Sequence, residues 1–453
     1  MNNNKDYDRI SLFNQTGIDS GRYLNPNDIN IPSGYKVDIF AYGLDSPSSI
    51  LFTPEGDLLI ADSGYITGNP TVSRYVNDHF EVIANNFNVP LTGINYLEGN
   101  IYVSHKGVIT IISKNGTRYD ILSGLPSYGD YSNSRVAFGP DHKMYFGQGT
   151  ATNSGVVGLD NLWVADNPYF HDHPGSHILL NGQNFETPNK HKYMNEVTFT
   201  GAFSPYGIPN TSPELRKGVT KASGSILKAN YDGTDLKLVA WGLRNPSYLK
   251  FDQSCRLFVS NNSYNIRGSR PIANAPDEFH LLTPGVWYGW PDYAGGEPVT
   301  SAKFKPEGRK APEFLFTHHP NIPPKPLAIF PPDSNILGFE FNSNPKFGPI
   351  GDVFVAEYGC NVPRAHGHSM PQYTGAGHRV SKIDMLTGSV STFAINKTGL
   401  PATITQEGGF GRPTDICFGP DGAMYVVDMG TNLIDNPNIF IPKSGVIWRI
   451  DSA

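Results

Sequence analysis

The chain has 453 residues, long enough for one large all-β domain or for two or three average ones. Charged residues make up only 17%, while 48 glycines and 37 prolines favour many turns and short strands over long helices. A net charge of −6 without a basic run argues against nucleic acid as the main partner. No apolar stretch approaches the length of a membrane span, so we expect none.

The N-terminal residues, MNNNKDYDRISLFNQ, lack the apolar segment and the small cleavage-site residues of a secretory signal. We therefore expect a cytoplasmic protein as the sequence stands, or a secreted one if a leader has been removed. Three cysteines without a CxxC spacing favour a reduced compartment, although three cysteines also allow one disulfide. Residues 1–30 are rich in Asn and Asp without periodicity and predict an irregular arm.

One pattern recurs along the rest of the chain: an apolar strand, a tight turn, and a second apolar strand that ends in a polar residue. Six copies occur, at residues 48–64, 93–107, 135–149, 248–263, 339–359 and 415–430. Six copies in one register indicate a repeat protein rather than chance hairpins. Third and fourth strands follow most copies, and four strands is the size of a propeller blade.

The two ends of the chain complement each other. The last repeat has only three strands and ends in GVIWRID (445–451), while YKVDIFAYG (35–43) is a strand without a repeat of its own. Pairing them would remove free sheet edges. The sequence therefore predicts an all-β, six-bladed β-propeller over residues 31–453, closed by this pairing. Insertions at about 151–222 and 264–335 are long enough to be functional loops.

Aligning the six hairpins places one polar residue of each at the end of its second strand. These residues are Asp62, His105, Gln148, Asn261, Glu357 and Asp428. In a closed propeller they would form a ring around the axis that could bind a metal, a sugar or water. The alternative is that they are turn and cap residues where strands meet loops, positions that favour Asp and Asn anyway.

A second set of residues precedes the first strand of its hairpin: Tyr131, Arg244, Asn245, Asn335 and Arg412. Two arginines and a phenol suit an anion with an aromatic body, because guanidinium groups pair bidentately with carboxylates. The alternative is that each arginine only binds loop carbonyls.

Histidines cluster in two loops. The segment HDHPGSH contains His171, His173 and His177, and the segment HGHS contains His366 and His368 close to Glu357 and Cys360. Neither spacing matches a strong metal motif, but imidazoles this close can bind zinc or copper.

Three segments together resemble the glucose/sorbosone dehydrogenase family: GSILKANYDGTDLKLVAWGLRNPSYLKF, NAPDEFHLL with WYGWPDYAGG, and GFGRPTDICFGPDGAMYVVDMG. The resemblance covers most of the chain from about residue 35 to 450. That family comprises six-bladed propellers and includes the soluble sugar dehydrogenases that use pyrroloquinoline quinone (PQQ). The resemblance implies a tricarboxylate quinone and calcium at the propeller axis, a sugar or polyol substrate, and an electron acceptor.

The resemblance also assigns roles to residues of this chain. It implies that Arg244, Asn245 and Arg412 bind the cofactor, and that Asp277 lies near the cofactor and calcium. Glu278 beside it could hold a structural calcium, and Glu357 is a second candidate metal ligand.

The chain departs from the family pattern at two of its motif positions. Tyr131 stands where the family has its catalytic histidine, and Thr414 replaces the second arginine of the last-blade motif. A phenol is a weaker general base than an imidazole at neutral pH. Any catalytic role of Tyr131 would therefore need tuning by its neighbours.

Three function classes follow. The first is a PQQ-type sugar or polyol oxidoreductase. The second is a metal-dependent propeller hydrolase such as a lactonase, with a divalent ion held by side chains of the ring set. The third is a non-catalytic propeller that binds a carbohydrate or a protein through its long loops, a reading motivated by the missing histidine.

Overall fold

The computed structural model describes residues 20–188, 197–359, 375–434 and 436–452. Across these ranges the structure is nearly all β. The helical elements described are the single-turn α-helix α1 (Ala402–Thr405) and three 3-10 turns at Pro26–Asp28, Leu162–Ala165 and Ala302–Phe304. The composition, rich in turn formers and aromatic residues, is consistent with this outcome.

The strands of the N-terminal half are, in chain order, β1 (Ile29–Asn30), β2 (Tyr35–Leu44), β3 (Pro47–Phe52), β4 (Leu58–Asp62), β5 (Thr71–Val76), β6 (His79–Ala84), β7 (Leu91–Leu97), β8 (Asn100–His105), β9 (Val108–Ile112), β10 (Arg118–Leu122), β11 (Ala137–Phe138), β12 (Met144–Gln148), β13 (Ile178–Leu180), β14 (Asn184–Pro188), β15 (Val197–Gly201), β16 (Glu214–Arg216), β17 (Ser225–Ala229) and β18 (Lys237–Trp241). Those of the C-terminal half are β19 (Asn245–Phe251), β20 (Leu257–Asn262), β21 (Asp277–Leu281), β22 (Tyr293–Ala294), β23 (Glu297–Pro298), β24 (Ala328–Phe330), β25 (Ile336–Phe341), β26 (Val353–Glu357), β27 (Arg379–Ile383), β28 (Val390–Asn396), β29 (Pro413–Phe418), β30 (Met424–Asp428), β31 (Asn432–Leu433), β32 (Asn436–Phe440) and β33 (Gly445–Ser452).

Each predicted hairpin forms the first two strands of one antiparallel sheet. The sheets are, in blade order, β3-β4-β5-β6, β7-β8-β9-β10, β11-β12-β17-β18, β19-β20-β21-β24, β25-β26-β27-β28 with β1 on its edge, and β29-β30-β33-β2. The prediction of an all-β, six-bladed propeller fold is confirmed. The hairpin pattern was sufficient to predict the fold, because its period fixes which strands pair and in what register.

The N-terminal strand β2 completes the sixth sheet. It pairs antiparallel with the last strand β33, from Tyr35 opposite Ser452 to Leu44 opposite Gly445. The strand pair joins the two ends of the chain through backbone hydrogen bonds and leaves β33 with a neighbour on each side. Closure of the whole propeller by this pair stays a prediction.

The two long insertions carry structure of their own. The first contains two small antiparallel pairs, β13 with β16 and β14 with β15. In the second, the PDEF sequence that was read as part of a long loop forms β21, the third strand of the fourth blade. The sequence pattern missed this strand because four of its five residues are buried and apolar/polar alternation is therefore lost.

Contacts divide the chain into two compact units. Among the described residues, the first unit comprises residues 20–96, 334–359, 375–434 and 436–452, and the second comprises residues 97–188 and 197–333. The first unit has an aromatic core around Phe347, Phe354 and Trp448. The second has a core around Trp241 of β18 and two insertion residues, Trp287 and Phe316. The assignment of residues 31–453 to one domain stays a prediction.

Among the described residues, no helix is both long enough and apolar enough to span a membrane.

Phe354 tests the core of the first unit. Its side chain is 1% exposed and packs edge-on against Phe347, Phe393 and Phe418. We expect Phe354→Ala to lower the free energy of unfolding by about 3–5 kcal/mol, since it leaves a cavity. Leu386→Ala, at a position 94% exposed, is the control and should change it by less than about 0.5 kcal/mol. Equal effects in urea unfolding would contradict this description of the core.

Candidate functional site

The six polar residues aligned from the sequence lie where the register predicted. Five are the last residue of the second strand of their sheet, and Asn261 is the last but one. All are buried except Asp62, which is half-buried. Such positions must satisfy their polar atoms within the protein, so their hydrogen bonds indicate what they do.

In the fourth blade, Asn261 holds the loop that carries the Arg-Asn pair. Its Oδ1 accepts hydrogen bonds from the backbone N–H groups of Arg244, at 3.0 Å, and Asn245, at 3.1 Å. Its Nδ2 donates to Glu278 Oε2 at 2.8 Å. One side chain therefore links the pair before the first strand to the third strand of the same blade.

The same type of bond recurs in the first unit. Asp428 of the sixth blade accepts from the backbone N–H groups of Gly411 and Arg412, both at 2.7 Å. Asp62 of the first blade accepts from the backbone N–H of Ser46 at 2.8 Å. The two sets of residues from the sequence are therefore connected: the residue that ends the second strand caps the loop before the first. This favours the turn-and-cap interpretation for these three positions.

The remaining three positions form other bonds. The Nε2 of His105 lies 2.8 Å from Thr110 Oγ1, and burial lowers the pKa of His105 to about 4, so it is neutral at pH 7. Gln148 donates to the carbonyl of Pro126 at 3.0 Å. Glu357 accepts from Ser381, and burial raises its pKa.

Arg244 is the most deeply buried cation of the second unit, with 2% of its surface exposed. Its guanidinium lies over the ring of Tyr131, with 4.5 Å from Cζ to the ring centroid. One terminal nitrogen, Nη2, donates to Tyr131 Oη, to Asn153 Oδ1 at 2.9 Å and to Asn265 Oδ1 at 2.7 Å. The other, Nη1, donates to the Asn262 carbonyl at 3.4 Å. These partners are all neutral groups.

The charge of Arg244 has no carboxylate within ion-pair distance among the residues that the structure describes. Its Nε is also buried without a hydrogen-bond partner. Burial lowers the pKa of Arg244, although the phenol of Tyr131 opposes the shift. Burying a charge without an ionic partner is costly, so an anion placed beside this guanidinium would be stabilised.

Tyr131 is half-buried and lies between two arginines. Besides the bond from Arg244, its hydroxyl oxygen accepts from Arg267 Nη2 at 3.2 Å. Arg267 is itself tied to Asp130 at 2.5 Å and to Asp160 at 2.6 Å. Burial opposes the charge of Arg267, but these carboxylates and Tyr131 raise its pKa well above the ordinary value. The phenol oxygen is therefore held in place by two permanent cations.

The loop position of Tyr131 depends on a glycine. A Cβ on Gly149 would lie 2.2 Å from Cβ of Tyr131, so a larger residue there would displace the tyrosine. The backbone N–H of Tyr131 donates to the Thr150 carbonyl at 3.2 Å, and that of Thr150 donates to the Arg244 carbonyl at 2.9 Å. These bonds connect the loop of the third blade to the loop of the fourth.

The acidic pair of the PDE motif begins β21 and is buried. Asp277 Oδ1 accepts from the backbone N–H of Ser263 at 2.7 Å. Glu278 accepts from Asn261, from His280 at 3.0 Å and from the backbone N–H of Gly295. A metal at Glu278 would have to displace these donors.

In the first unit, Arg412 repeats the arrangement of an arginine over a tyrosine. Its Cζ lies 4.5 Å from the ring centroid of Tyr358, and its Nε donates to Asn432 Oδ1. The Nη1 donates to the Gly359 carbonyl at 3.3 Å. Asn335 donates its side-chain amide to the same carbonyl at 3.0 Å. Arg412 and Asn335 therefore belong to one local network.

The histidine cluster of the first insertion is not arranged as a metal site. The rings of His171 and His173 are stacked at 4.4 Å, and burial lowers the pKa of both, that of His171 to about 4. Within the described ranges, no group of three His, Cys, Asp or Glu side chains could hold a metal ion. His366, His368 and Cys360 lie outside the described residues.

Comparison with known proteins gives two kinds of similarity. No protein-family model matches the chain. Quinoprotein glucose dehydrogenase B of Acinetobacter calcoaceticus is 30% identical over 178 residues, which are 39% of this chain and 29% of the relative. Protein lin-41 of Caenorhabditis elegans is 33% identical over 81 residues, 18% of this chain and 7% of the relative. The chain thus matches less than a third of the length of either relative.

Solved structures with the same fold cover nearly the whole chain. PQQ-bound aldose sugar dehydrogenase of Streptomyces coelicolor has a TM-score of 0.51 at 17% identity and covers 93% of this chain and 99% of its own. The holo PQQ domain of pyranose dehydrogenase from Coprinopsis cinerea has a TM-score of 0.57 at 14% identity, covering 95% and 97%. A calcium structure of Trichoderma reesei Carbohydrate-Active Enzymes Family AA12 scores 0.58 at 14% identity, covering 95% and 98%.

The resemblance to the glucose/sorbosone dehydrogenase family is therefore confirmed. It holds for the fold over most of the chain and for the sequence over 178 residues. The roles that the family implies for Tyr131, Arg244, Asn245, Asp277 and Arg412 stay predictions, as do metal roles for Glu278 and Glu357.

Sequence reasoning missed several residues of the site. Asn153, Asn265 and Arg267 come from the long insertions and contact Arg244 or Tyr131 directly. Asp130 is also part of this site, and its place next to Tyr131 in the sequence was the one feature that could have identified it. The others lie in segments without periodicity, where sequence position does not fix a side chain's neighbours.

Asp172, which lies between His171 and His173 in the sequence, gives a pH test of this region. Burial raises its pKa to about 7, although Thr152 and the backbone N–H of Ala151 bond to it. A raised carboxyl pKa contributes stability at low pH that is lost as pH rises from about 4 to about 7. We expect wild type to lose stability relative to Asp172→Asn over that window, at most about 1.4 kcal/mol per pH unit. Parallel curves of urea unfolding against pH would contradict this.

Proposed function

We propose that the protein is a quinoprotein-type oxidoreductase that acts on a sugar or polyol with PQQ and calcium. The observation that carries the proposal is the Arg244 guanidinium, which is buried, lacks a carboxylate partner among the described residues, and has an unbonded Nε. A tricarboxylate cofactor would supply the missing anion. The relatives described as PQQ-bound or quinoprotein support the choice of this cofactor over other anions.

The residues of this chain would take distinct parts. Arg244 would pair with a cofactor carboxylate through its guanidinium, whose Nε has no hydrogen-bond partner in the structure. Asn245 follows it on the same capped loop, and Asp277 begins the third strand of the same blade. The family resemblance also assigns Arg412 to cofactor binding. Bound PQQ would supply two-electron oxidation chemistry for a sugar hydroxyl.

Tyr131 is the proposed proton acceptor. It occupies the position of the family's catalytic histidine, its ring is half-buried, and its oxygen faces two guanidinium groups. Hydrogen bonds from two guanidinium groups fix the position of this oxygen, and a proton acceptor must be held in place beside its substrate. The Asp130 and Asp160 carboxylates fix Arg267 and thereby keep this second cation beside the phenol.

Calcium fits the described residues less well than PQQ does. Glu278 already accepts three hydrogen bonds, and no described cluster of three acidic or imidazole groups exists. Support for calcium is the family resemblance and the calcium structure of a relative with this fold. Neither the family resemblance nor the structures with this fold identify the electron acceptor or the particular sugar.

Calorimetry with PQQ tests the cofactor proposal. We expect wild type to bind PQQ at micromolar concentration or below, and Arg244→Gln to bind about 100-fold more weakly, because a buried charge pair is lost. Arg256→Gln is the matched control, since Arg256 lies in the same blade with its side chain 55% exposed. Absence of binding by wild type, or equal binding by Arg244→Gln, would refute the assignment.

Tyr131→Phe separates binding from catalysis. The variant keeps a ring under Arg244 but loses the oxygen that accepts from both arginines. We expect PQQ affinity to stay within about threefold and sugar-dependent reduction of an artificial acceptor to fall about 100-fold or more. Tyr128→Phe, in the same loop and 51% exposed, should retain full activity. Undiminished turnover by Tyr131→Phe would show that the phenol accepts no proton.

A further inference from the structure

The described part of the predicted N-terminal arm, residues 20–30, is hydrogen-bonded to the sixth blade of the first unit. The backbone N–H of Gly21 donates to the Lys443 carbonyl at 2.9 Å, and that of Asn25 donates to the Gly408 carbonyl at 2.9 Å. Gly408 returns a bond from its own N–H to Asp28 Oδ2 at 2.8 Å. The arm therefore contacts both loops that flank the sixth sheet.

These contacts are too close for larger residues. A Cβ on Gly21 would lie 1.9 Å from the Pro442 carbonyl oxygen, and a Cβ on Gly408 would lie 2.1 Å from the backbone nitrogen of Asn25. Backbone atoms cannot yield as a flexible side chain can. Glycine at both positions is therefore what allows the arm to lie against the loops.

Arg22 is the centre of this contact and is 6% exposed. Its Nε donates to the Ser444 carbonyl at 2.8 Å and its Nη1 to the Gly409 carbonyl at 2.7 Å. Its Nη2 forms an ion pair with Asp428 Oδ2 at 2.7 Å. The guanidinium thus ties one flanking loop, the other flanking loop and the end of β30 together.

Asp428 carries the effect of Arg22 to Arg412. The Asp428 carboxylate is fully buried and also accepts from the backbone N–H groups of Gly411 and Arg412 at 2.7 Å. Gly430 and the indole of Trp448 donate to it as well, at 3.0 and 3.2 Å. Arg22 is the one cation paired with Asp428 among the described residues, so it is what balances the carboxylate's charge.

We propose that Arg22 is a positioning residue for Arg412. Arg22 pairs with Asp428 and holds this carboxylate in place, and the carboxylate in turn fixes the backbone from which the Arg412 side chain projects. Without Arg22 a buried carboxylate would lack its counter-ion, and the Gly411–Arg412 loop would loosen. The arm is then a working part of the anion-binding arrangement and not an appendage. The identity of the anion rests on the proposed function; the positioning role does not.

Hydrogen exchange on the protein without added ligand tests the role directly. We expect Arg22→Gln to accelerate exchange about tenfold or more in peptides that contain Gly411, Arg412 and Gly430, and to leave β19 and β20 unchanged. Arg22→Lys retains the positive charge but cannot donate to all three partners at once. We therefore expect its hydrogen-exchange rates to lie between those of wild type and Arg22→Gln. The control is Arg449→Gln, which removes ion pairs to Asp421 and Asp451 in the same sheet.

Two outcomes would overturn the proposal. One is unchanged exchange at Gly411 and Arg412 in both Arg22 variants. The other is acceleration spread evenly over both units, since that would make Arg22 a general stabilising residue. If Arg22→Gln fails to fold, Arg22→Lys alone decides between the local and the general effect.

Affinity for PQQ gives an independent second readout. We expect Arg22→Gln to weaken binding about tenfold, as loss of an outer partner of a ligand-binding residue commonly does, and Arg449→Gln to leave it unchanged. Undiminished affinity in Arg22→Gln, in a protein whose Arg412→Gln variant binds PQQ more weakly, would contradict the positioning role. Absence of PQQ binding by wild type would instead count against the proposed function, and the exchange experiment would still test Arg22.

Discussion

The arrangement of the arginines depends on one interaction found in three of the six blades, in which a polar side chain at the end of the second strand caps the loop before the first strand. Asn261 caps the loop of Arg244 and Asn245, and Asp428 caps the loop of Arg412. Because the second strand lies inside its sheet, the capping side chain is held in place, and its hydrogen bonds hold the loop in place as well. The repeat that builds the fold therefore also aims the arginines.

The consequence is a pair of similar arrangements, one in each unit. In each, a buried arginine that follows a capped loop lies 4.5 Å over a tyrosine ring. The face of a phenol ring attracts a cation but does not neutralise its charge. A carboxylate in the same place would neutralise it. Arg244 in particular keeps its full charge and an unbonded nitrogen for a ligand. Around Tyr131, the second cation Arg267 is fixed by two aspartates, so the phenol oxygen has a defined polar environment.

The sequence was sufficient for the fold and for the residues that the repeat positions. The period of the hairpins put Arg244 and Arg412 before the first strand and Asn261 and Asp428 at the end of the second, since strand register is set by side-chain alternation, but the contacts between them came from the structure. It could not place Arg267 or Asn265, which come from an insertion without periodicity. Nor could it show the arm's role, because Arg22 and Asp428 are 406 residues apart and no local pattern connects them. The strand β21 was missed for a related reason, since burial of four of its five residues removes the alternation that marks a strand.

The most direct test is an experimental structure of the protein crystallised with PQQ and calcium. The account predicts planar density beside Arg244, with a carboxylate group within hydrogen-bonding distance of its Nε, and the Tyr131 ring still under the guanidinium. It would be contradicted by an Arg244 whose Nε is satisfied by a protein carboxylate, or by PQQ bound away from this arginine.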